Sequence, residues 1–474
     1  MGGDLLNSAL QKKLDHTIKE LFIDEETLLK ATDEFLNSMD RGLNLKSNLK
    51  DSMPMIPSFV TSMPTGKEKG LFLAADLGGT NFRVCSVHLN GDHTFDLKQA
   101  KTPIPLDLML NNSSDALFYY LAEKISSFME ENHGDLSNDH VKLGFTFSFP
   151  IDQTALNKGT LIRWTKGFDL PDLVGKEVVG LLQLKLDSLN CKIKVVALAN
   201  DTVGTLLSRS YSNNPSETSS NTVVGAIFGT GTNGAYFERS ENIKKVHDFP
   251  SHTAGMVINT EWGSFDNMKK VIPFTKIDEI VDSHTANRGY HMFEKKISGL
   301  FLGEMLRVSL VELFKEGYIF QDLVKQRGGS LPHRLTNKFE VSSEILSCLQ
   351  IDDSTDLKMS GLILQNTLRL PTTKEERIVI QKLTQAIAHR AARLSAIPLA
   401  AILIRLKEVY ADDDKDFEFG CDGAVVEFYP GFQEEVTKAI SLIDPLKGTG
   451  KKFHIKIAKD GSGVGAALCA TTVQ

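Results

Sequence analysis

Two glycine turns in this chain have the make-up of a phosphate cradle. The first is Asp76-Leu77-Gly78-Gly79-Thr80-Asn81, with Arg83 two residues on; the second is Gly229-Thr230-Gly231-Thr232-Asn233-Gly234. Consecutive small residues in a tight turn leave backbone N–H groups unobstructed, a concavity suited to anionic oxygens. Thr80 and Thr230 add hydroxyl donors. Asp76, at the end of a strand, is placed to hold a Mg²⁺ shell through water, since Mg²⁺ takes oxygen ligands and keeps its waters. One glycine turn alone is more often a plain hairpin. Two related turns in one chain point to phosphate binding.

Other glycine patterns are weaker. Gly229-x-Gly231-x-x-Gly234 spells the dinucleotide fingerprint, but it runs on into Ala235-Tyr236-Phe237-Glu238, which reads as strand where that fingerprint needs a helix. Gly450-Lys451 is no Walker loop, because Lys452 stands at the hydroxyl position and Pro445 at the first glycine. A third cluster, Gly461-Ser462-Gly463-Val464-Gly465-Ala466-Ala467, opens an apolar helix. Small residues there admit either a flat ring or a neighbouring helix.

The elements that must carry these turns follow from hydrophobic periodicity. Leu6, Leu10, Leu14, Ile18 and Leu21 form one helical stripe; Leu28, Ala31, Phe35 and Met39 form a second, with Gly42 as a stop. After a Pro/Ser/Met-rich connector at 51–66, the pattern predicts strands at 71–76, 82–89 and about 94–101. A helix at 114–133, a strand at 141–149, a helix near 175–189, a strand at 193–198 and a helix after Asp201 complete the unit. The cycle restarts with strands at 222–228 and 235–239 around the second turn, then a long helical insertion. It resumes with a strand at 417–421, a helix after Pro430, a strand at 453–458 and a short helix from Gly463. Two units of three antiparallel strands followed by αβα elements predict an α/β chain with two lobes and a cleft.

Composition narrows the classes. The 474 residues are 41% hydrophobic and 24% charged, which excludes disordered and collagen-like chains. The net charge is −7, so no basic excess calls for nucleic acid or an acidic membrane as partner. Cys85, Cys191, Cys348, Cys421 and Cys469 show no Cys-x-x-Cys spacing, which fits a reducing compartment without disulfides or zinc. No basic-then-apolar leader is visible, and the longest apolar run, 396–404 with Pro398, is far below the ~20 residues of a membrane span. The expectation is a cytoplasmic protein, a monomer or weak homo-oligomer.

Five motifs together resemble the hexokinase family, with the nearest likeness among fungal glucokinases. They are residues 73–83 (Leu-Ala-Ala-Asp-Leu-Gly-Gly-Thr-Asn-Phe-Arg), 143–150 (Leu-Gly-Phe-Thr-Phe-Ser-Phe-Pro), 164–168 (Trp-Thr-Lys-Gly-Phe), 199–205 (Ala-Asn-Asp-Thr-Val-Gly-Thr) and 228–234 (Phe-Gly-Thr-Gly-Thr-Asn-Gly). Gly-Cys-Asp-Gly at 420–423 and the run at 458–470 extend the likeness through almost the whole chain. The resemblance implies the two-lobed actin/Hsp70/sugar-kinase (ribonuclease H-like) ATPase fold, with a duplicated βββαβα core. Residues 67–201 and 458–474 would form the small lobe, and 1–66 and 202–457 the large one.

It further implies ATP-dependent phosphorylation of glucose, and mannose with it, at the 6-hydroxyl. The sugar would meet Ser148, Thr165, Lys166, Asn200, Asp201, Asn233, Glu261 and Glu294, with Asp201 as catalytic base and Lys166 stabilising the transferring charge. ATP with Mg²⁺ would lie against Asp76, Gly78, Gly79, Thr80, Asn81, Arg83, Lys101, Gly229, Thr230, Gly231, Thr232, Gly423, Gly461 and Ser462. One departure is Ala424 after Asp422-Gly423, where the family often has Ser. Taken locally, Asp201 is a candidate helix N-cap, and Glu261 and Glu294 are ordinary surface glutamates. A glucose sensor with low turnover and an actin-like ATPase are the competing classes; the polar set around Glu261 and Glu294 speaks against the latter.

Overall fold

The structure is a computed structural model that describes residues 6–44, 53–79, 81–111, 113–134, 140–164, 168–216, 219–246, 253–458 and 460–472. Its strands are β1 (Ile56–Pro57), β2 (Lys69–Leu77), β3 (Asn81–Asn90), β4 (Phe95–Pro103), β5 (Val141–Phe147), β6 (Ile151–Ala155) and β7 (Lys158–Leu161). They continue with β8 (Ile193–Ala199), β9 (Ser220–Phe228), β10 (Thr232–Arg239), β11 (Gly255–Asn259), β12 (Asp416–Asp422) and β13 (Phe453–Ile457). One sheet has the order β4-β3-β2-β5-β8 and the other β1-β11-β10-β9-β12-β13. With β1 set aside, the two correspond strand for strand. In each, three antiparallel strands are extended by two in parallel.

Parallel neighbours need crossover helices. Asp115–His133 joins β4 to β5, Val178–Ser188 precedes β8, and Phe432–Ile443 joins β12 to β13. The duplication expected from the glycine turns is therefore present. The third strand of the second unit, β11, falls inside the stretch read as a helical insertion. All five of its residues are buried, so it shows no alternation of polar and apolar positions. The β6–β7 hairpin was likewise not anticipated.

The last helix of each unit crosses over. Asp201–Ser212 follows β8 but packs on β9, β10 and β12, whereas Gly461–Thr471 follows β13 but packs on β2, β5 and β8. The two helices also pack on each other. A Cβ added at Gly465 would lie 2.0 Å from the Cα of Gly204, and one at Gly144 would lie 1.9 Å from the carbonyl of Ala466. At Gly465 and Gly461 the third glycine cluster thus packs closely on the neighbouring helix.

Buried polar pairs fix the first of these helices at its far end. Arg209 donates to both oxygens of the fully buried Glu418 on β12, at 2.6 and 2.8 Å, and Thr222 of β9 adds a bond at 2.8 Å. The Tyr211 hydroxyl donates to the carbonyl of Thr94 at 3.0 Å and accepts from the Gly91 amide at 3.1 Å. One helix is therefore tied to both sheets.

The N-terminal helices Ser8–Leu21 and Glu25–Asn44 pack on the long helix Lys374–Leu406, which runs on through Pro398. By length and composition that helix could cross a membrane, but 89% of its most apolar window is buried inside the fold. It is a core helix.

Candidate active site

The site is built where β8 and β11 end and β10 begins. Asn200 is the N-cap of the helix Asp201–Ser212, its Oδ1 accepting from the Thr202 amide at 2.9 Å and the Thr202 hydroxyl at 2.6 Å. The capping role considered for Asp201 thus falls to Asn200, which can offer a ligand only its Nδ2 donors. Asp201 is the first helical residue, where the helix dipole favours a carboxylate.

Across the cleft, Asn233 is the second residue of β10, and Asn259 ends β11. Asn233 Nδ2 donates to Asn259 Oδ1 at 2.8 Å and to Glu261 Oε1 at 3.2 Å; Asn259 Nδ2 donates to the same Glu261 oxygen at 2.8 Å. Glu261 itself has φ 52°, a left-handed turn between β11 and the buried Trp262. The Trp262 indole donates to Thr232 Oγ1 at 2.9 Å. Glu294 starts a one-turn helix, Glu294–Ile297, and its Oε2 accepts from the Thr232 amide at 3.0 Å.

Electrostatics show that these groups converge. Burial is the largest cause raising the Glu261 carboxyl above its ordinary range; the charges of Asp201 and Glu294 push the same way, while Asn259 and His291 oppose them. His291 Nδ1 is 3.6 Å from Glu294 Oε1. Its imidazole is pulled down chiefly by burial, with Glu261 opposing and Arg163 adding to the shift. Asp201, Glu261 and Glu294, from three separate segments, share one site with His291.

The turn after β2 forms a second cluster. Asp76 Oδ2 accepts from Arg83 at 3.0 Å and from the Ser462 hydroxyl at 2.9 Å, and Ser462 also bonds to Arg83. Asp460 lies 3.6 Å from the same guanidinium. Arg83 and Ser462, expected at ATP, are thus brought together around Asp76. Lys101 is exposed and in register with Arg83 on β4, and Asn81 begins β3. A Cβ added at Gly78 or Gly79 would meet at most the Asn81 carbonyl, at 3.9 Å, so these two glycines face open space among the described residues.

The second turn is more committed than expected. The Gly229 amide bonds to the Gly231 carbonyl at 3.0 Å and the Thr232 amide is taken by Glu294, which leaves Thr230 and Gly231 as its donors for anionic oxygens. The carbonyls of Gly229 and Thr230 accept from the amides of Gly299 and Leu300. Gly423 lies against this turn with φ 116°, and a Cβ there would be 2.5 Å from the Phe228 carbonyl, so only glycine fits.

Ser148 follows β5, its amide directed at the Leu77 carbonyl at 3.4 Å. Thr80, Thr165 and Lys166 lie outside the described residues. The flanks of the latter pair are well placed: Trp164 and Phe168 stack at 5.2 Å, and Phe149 meets both edge-on.

Sequence reasoning missed Asn259, His291 and Asp422. Asn259 lies two residues before Glu261 and His291 three before Glu294, but nothing local marks an Asn or His as part of a site. Asp422 lies in the quoted Gly-Cys-Asp-Gly; its carboxyl is raised chiefly by burial and also by Asp201, with Arg83 opposing, which places it between the two clusters.

Comparison with known proteins agrees with this arrangement. Family profiles described as hexokinase match residues 13–211 and 223–472, a division that falls between the two structural units. Glucokinase-1 of Saccharomyces cerevisiae is 48% identical, covering 99% of this chain and 99% of its own. The glucokinase of Aspergillus niger is 41% identical over 98% of this chain and 97% of its own. A solved hexokinase from Schistosoma mansoni complexed with glucose superposes with a TM-score of 0.85 at 34% identity, covering 98% of this chain and 99% of that one.

Proposed function

The chain belongs to the hexokinase family, and from that premise we propose that it transfers the γ-phosphoryl group of ATP to the 6-hydroxyl of glucose. The products are glucose 6-phosphate and ADP, at the entry of glycolysis; mannose is a second substrate. The observation that carries the reading is the convergence of Asp201 with Glu261 and Glu294 beside the second glycine turn.

In this reading Asn200, Asn233, Glu261 and Glu294, with Ser148, Thr165 and Lys166, bind the sugar hydroxyls. Carboxylates accept and amides donate, each charged hydrogen bond contributing about 1.5–3 kcal/mol. Asp201 takes the proton of the 6-hydroxyl as its oxygen attacks the γ-phosphorus. Phosphoryl transfer has a loose transition state, so positioning outweighs full prior deprotonation. The turns after β2 and β9 lie against the phosphates, and Lys101, Arg83, Gly423, Gly461 and Ser462 border the nucleotide.

Asp76 suits a magnesium shell: it is a hard oxygen donor beside an open turn, and both its side-chain contacts fall on Oδ2. Mg²⁺ bound with ATP supplies charge neutralisation on the phosphates. The small lobe is residues 67–201 and 458–474, and the large lobe the remainder. Five free thiols fit a cytoplasmic location.

A coupled assay with glucose, mannose and fructose plus ATP and Mg²⁺ tests the function. Phosphorylation of no hexose would overturn it. A pH profile tests the sugar site. Because the Glu261 pKa is raised, its acceptor charge is lost at a higher pH than an ordinary glutamate's, so the glucose KM rises as pH falls toward the acid side. Glu261→Gln should raise KM and flatten that rise; an unchanged profile would remove Glu261 from the sugar. Closure about Gly66 and residues 201–204 should exclude water from the phosphate. Small-angle scattering is expected to show compaction with saturating glucose, and an unchanged radius of gyration would reject the hinge.

A further inference from the structure

Glu294 is carried by a helix of one turn, far too short to hold its own position. What holds it lies behind it. Lys295 and Lys296 are only 3% exposed, and both point into the large lobe toward one helix, Lys276–Ser283. Lys295 Nζ donates to Asp282 Oδ1 at 2.7 Å and to the Asn287 carbonyl at 2.9 Å. Lys296 Nζ is 3.4 Å from Asp278 Oδ2 and 4.9 Å from the centre of the Phe274 ring. Asp278 and Asp282 are four residues apart, so they share one face of their helix.

The anchor is itself anchored. Asp278 is gripped by Arg390 of the core helix through two bonds of 2.8 Å, and it closes a capping box with Thr275. Asp282 also accepts from the Gly289 amide at 3.0 Å, so it orders the segment that carries His291 as well. Burial of four charges is tolerated only where each has a close partner. The group at the head of the short helix they support is the Glu294 carboxylate, which faces the Thr232 amide.

We propose that Lys295 and Lys296, paired with Asp282 and Asp278, are positioning residues that hold Glu294 at the sugar and so set sugar affinity. The inference rests on the reading of Glu294 as a sugar acceptor. The clamp acts on binding, because Asp201 is held independently through the helix tied to Glu418. Burial pulls Lys296 down to about 8, and Asp278 resists that shift, so the pair stays charged at neutral pH.

The test uses the full chain in steady-state kinetics. Asp282→Asn keeps the side-chain shape and removes the charge; it should raise the glucose KM about tenfold, the change for roughly 1.4 kcal/mol of lost binding, with kcat and the ATP KM within about twofold. Lys295→Met should behave alike, and Lys295→Arg should recover most of the affinity. An unchanged glucose KM in Asp282→Asn overturns the proposal, as does a parallel fall of kcat and folded fraction with KM unaltered. Glu294→Gln separates the two readings. If Glu294→Gln raises KM and Asp282→Asn does not, the clamp fails while the sugar site stands; if Glu294→Gln leaves KM unchanged, the sugar assignment itself fails.

Discussion

Asp201→Ala is expected to lower kcat by about 10²–10⁴-fold, the usual range for a lost general base, while glucose still binds. The carboxylate lies at the first position of the helix Asp201–Ser212, and the cap beside it is supplied by Asn200. Removing Asp201 therefore leaves the N-cap bonds to Thr202 in place, so the helix and the opposite wall formed by Asn233, Asn259 and Glu261 should persist. Steady-state turnover with ATP and Mg²⁺ measures the loss. Quenching of tryptophan fluorescence measures binding, since Trp262 adjoins Glu261 and Trp164 adjoins Thr165. Near-normal turnover would reject Asp201 as the base. Lost binding together with lost turnover would make it a sugar ligand first.

The second large effect lies away from any ligand. Gly465→Ala should reduce stability by about 1–3 kcal/mol or more, because overpacking cannot relax where both neighbours are backbone. The added Cβ would lie 2.0 Å from Gly204 Cα and 2.2 Å from its carbonyl oxygen. Separating the helices Gly461–Thr471 and Asp201–Ser212 moves Ser462 and Asp201 relative to each other, so turnover should fall along with the urea midpoint. A midpoint and kcat both unchanged would show that the contact between the helices is looser than described.

Legibility differed between elements for physical reasons. Strands such as β13, and amphipathic helices such as Glu25–Asn44, carry their own periodicity because one face meets the core. β11 carries none, since both its faces are covered. In the site, Asp76, Asn200 and Asp201 stand in motifs at strand ends and could be picked out. Glu261 and Glu294 could be named only through family resemblance, and His291 not at all, because each gains its meaning from partners distant in the chain.

The sequence by itself determined the duplicated strand pattern, the glycine turns and the family, because backbone periodicity and turn chemistry are local properties. Only the tertiary structure decided how the third glycine cluster packs, how Ser462 meets Asp76 and which charges stand behind Glu294. These contacts join segments more than a hundred residues apart: Gly204 against Gly465, Asp76 against Ser462, Arg390 against Asp278. Pair distances of that kind are set by the packing of the whole core, and no local spacing encodes them.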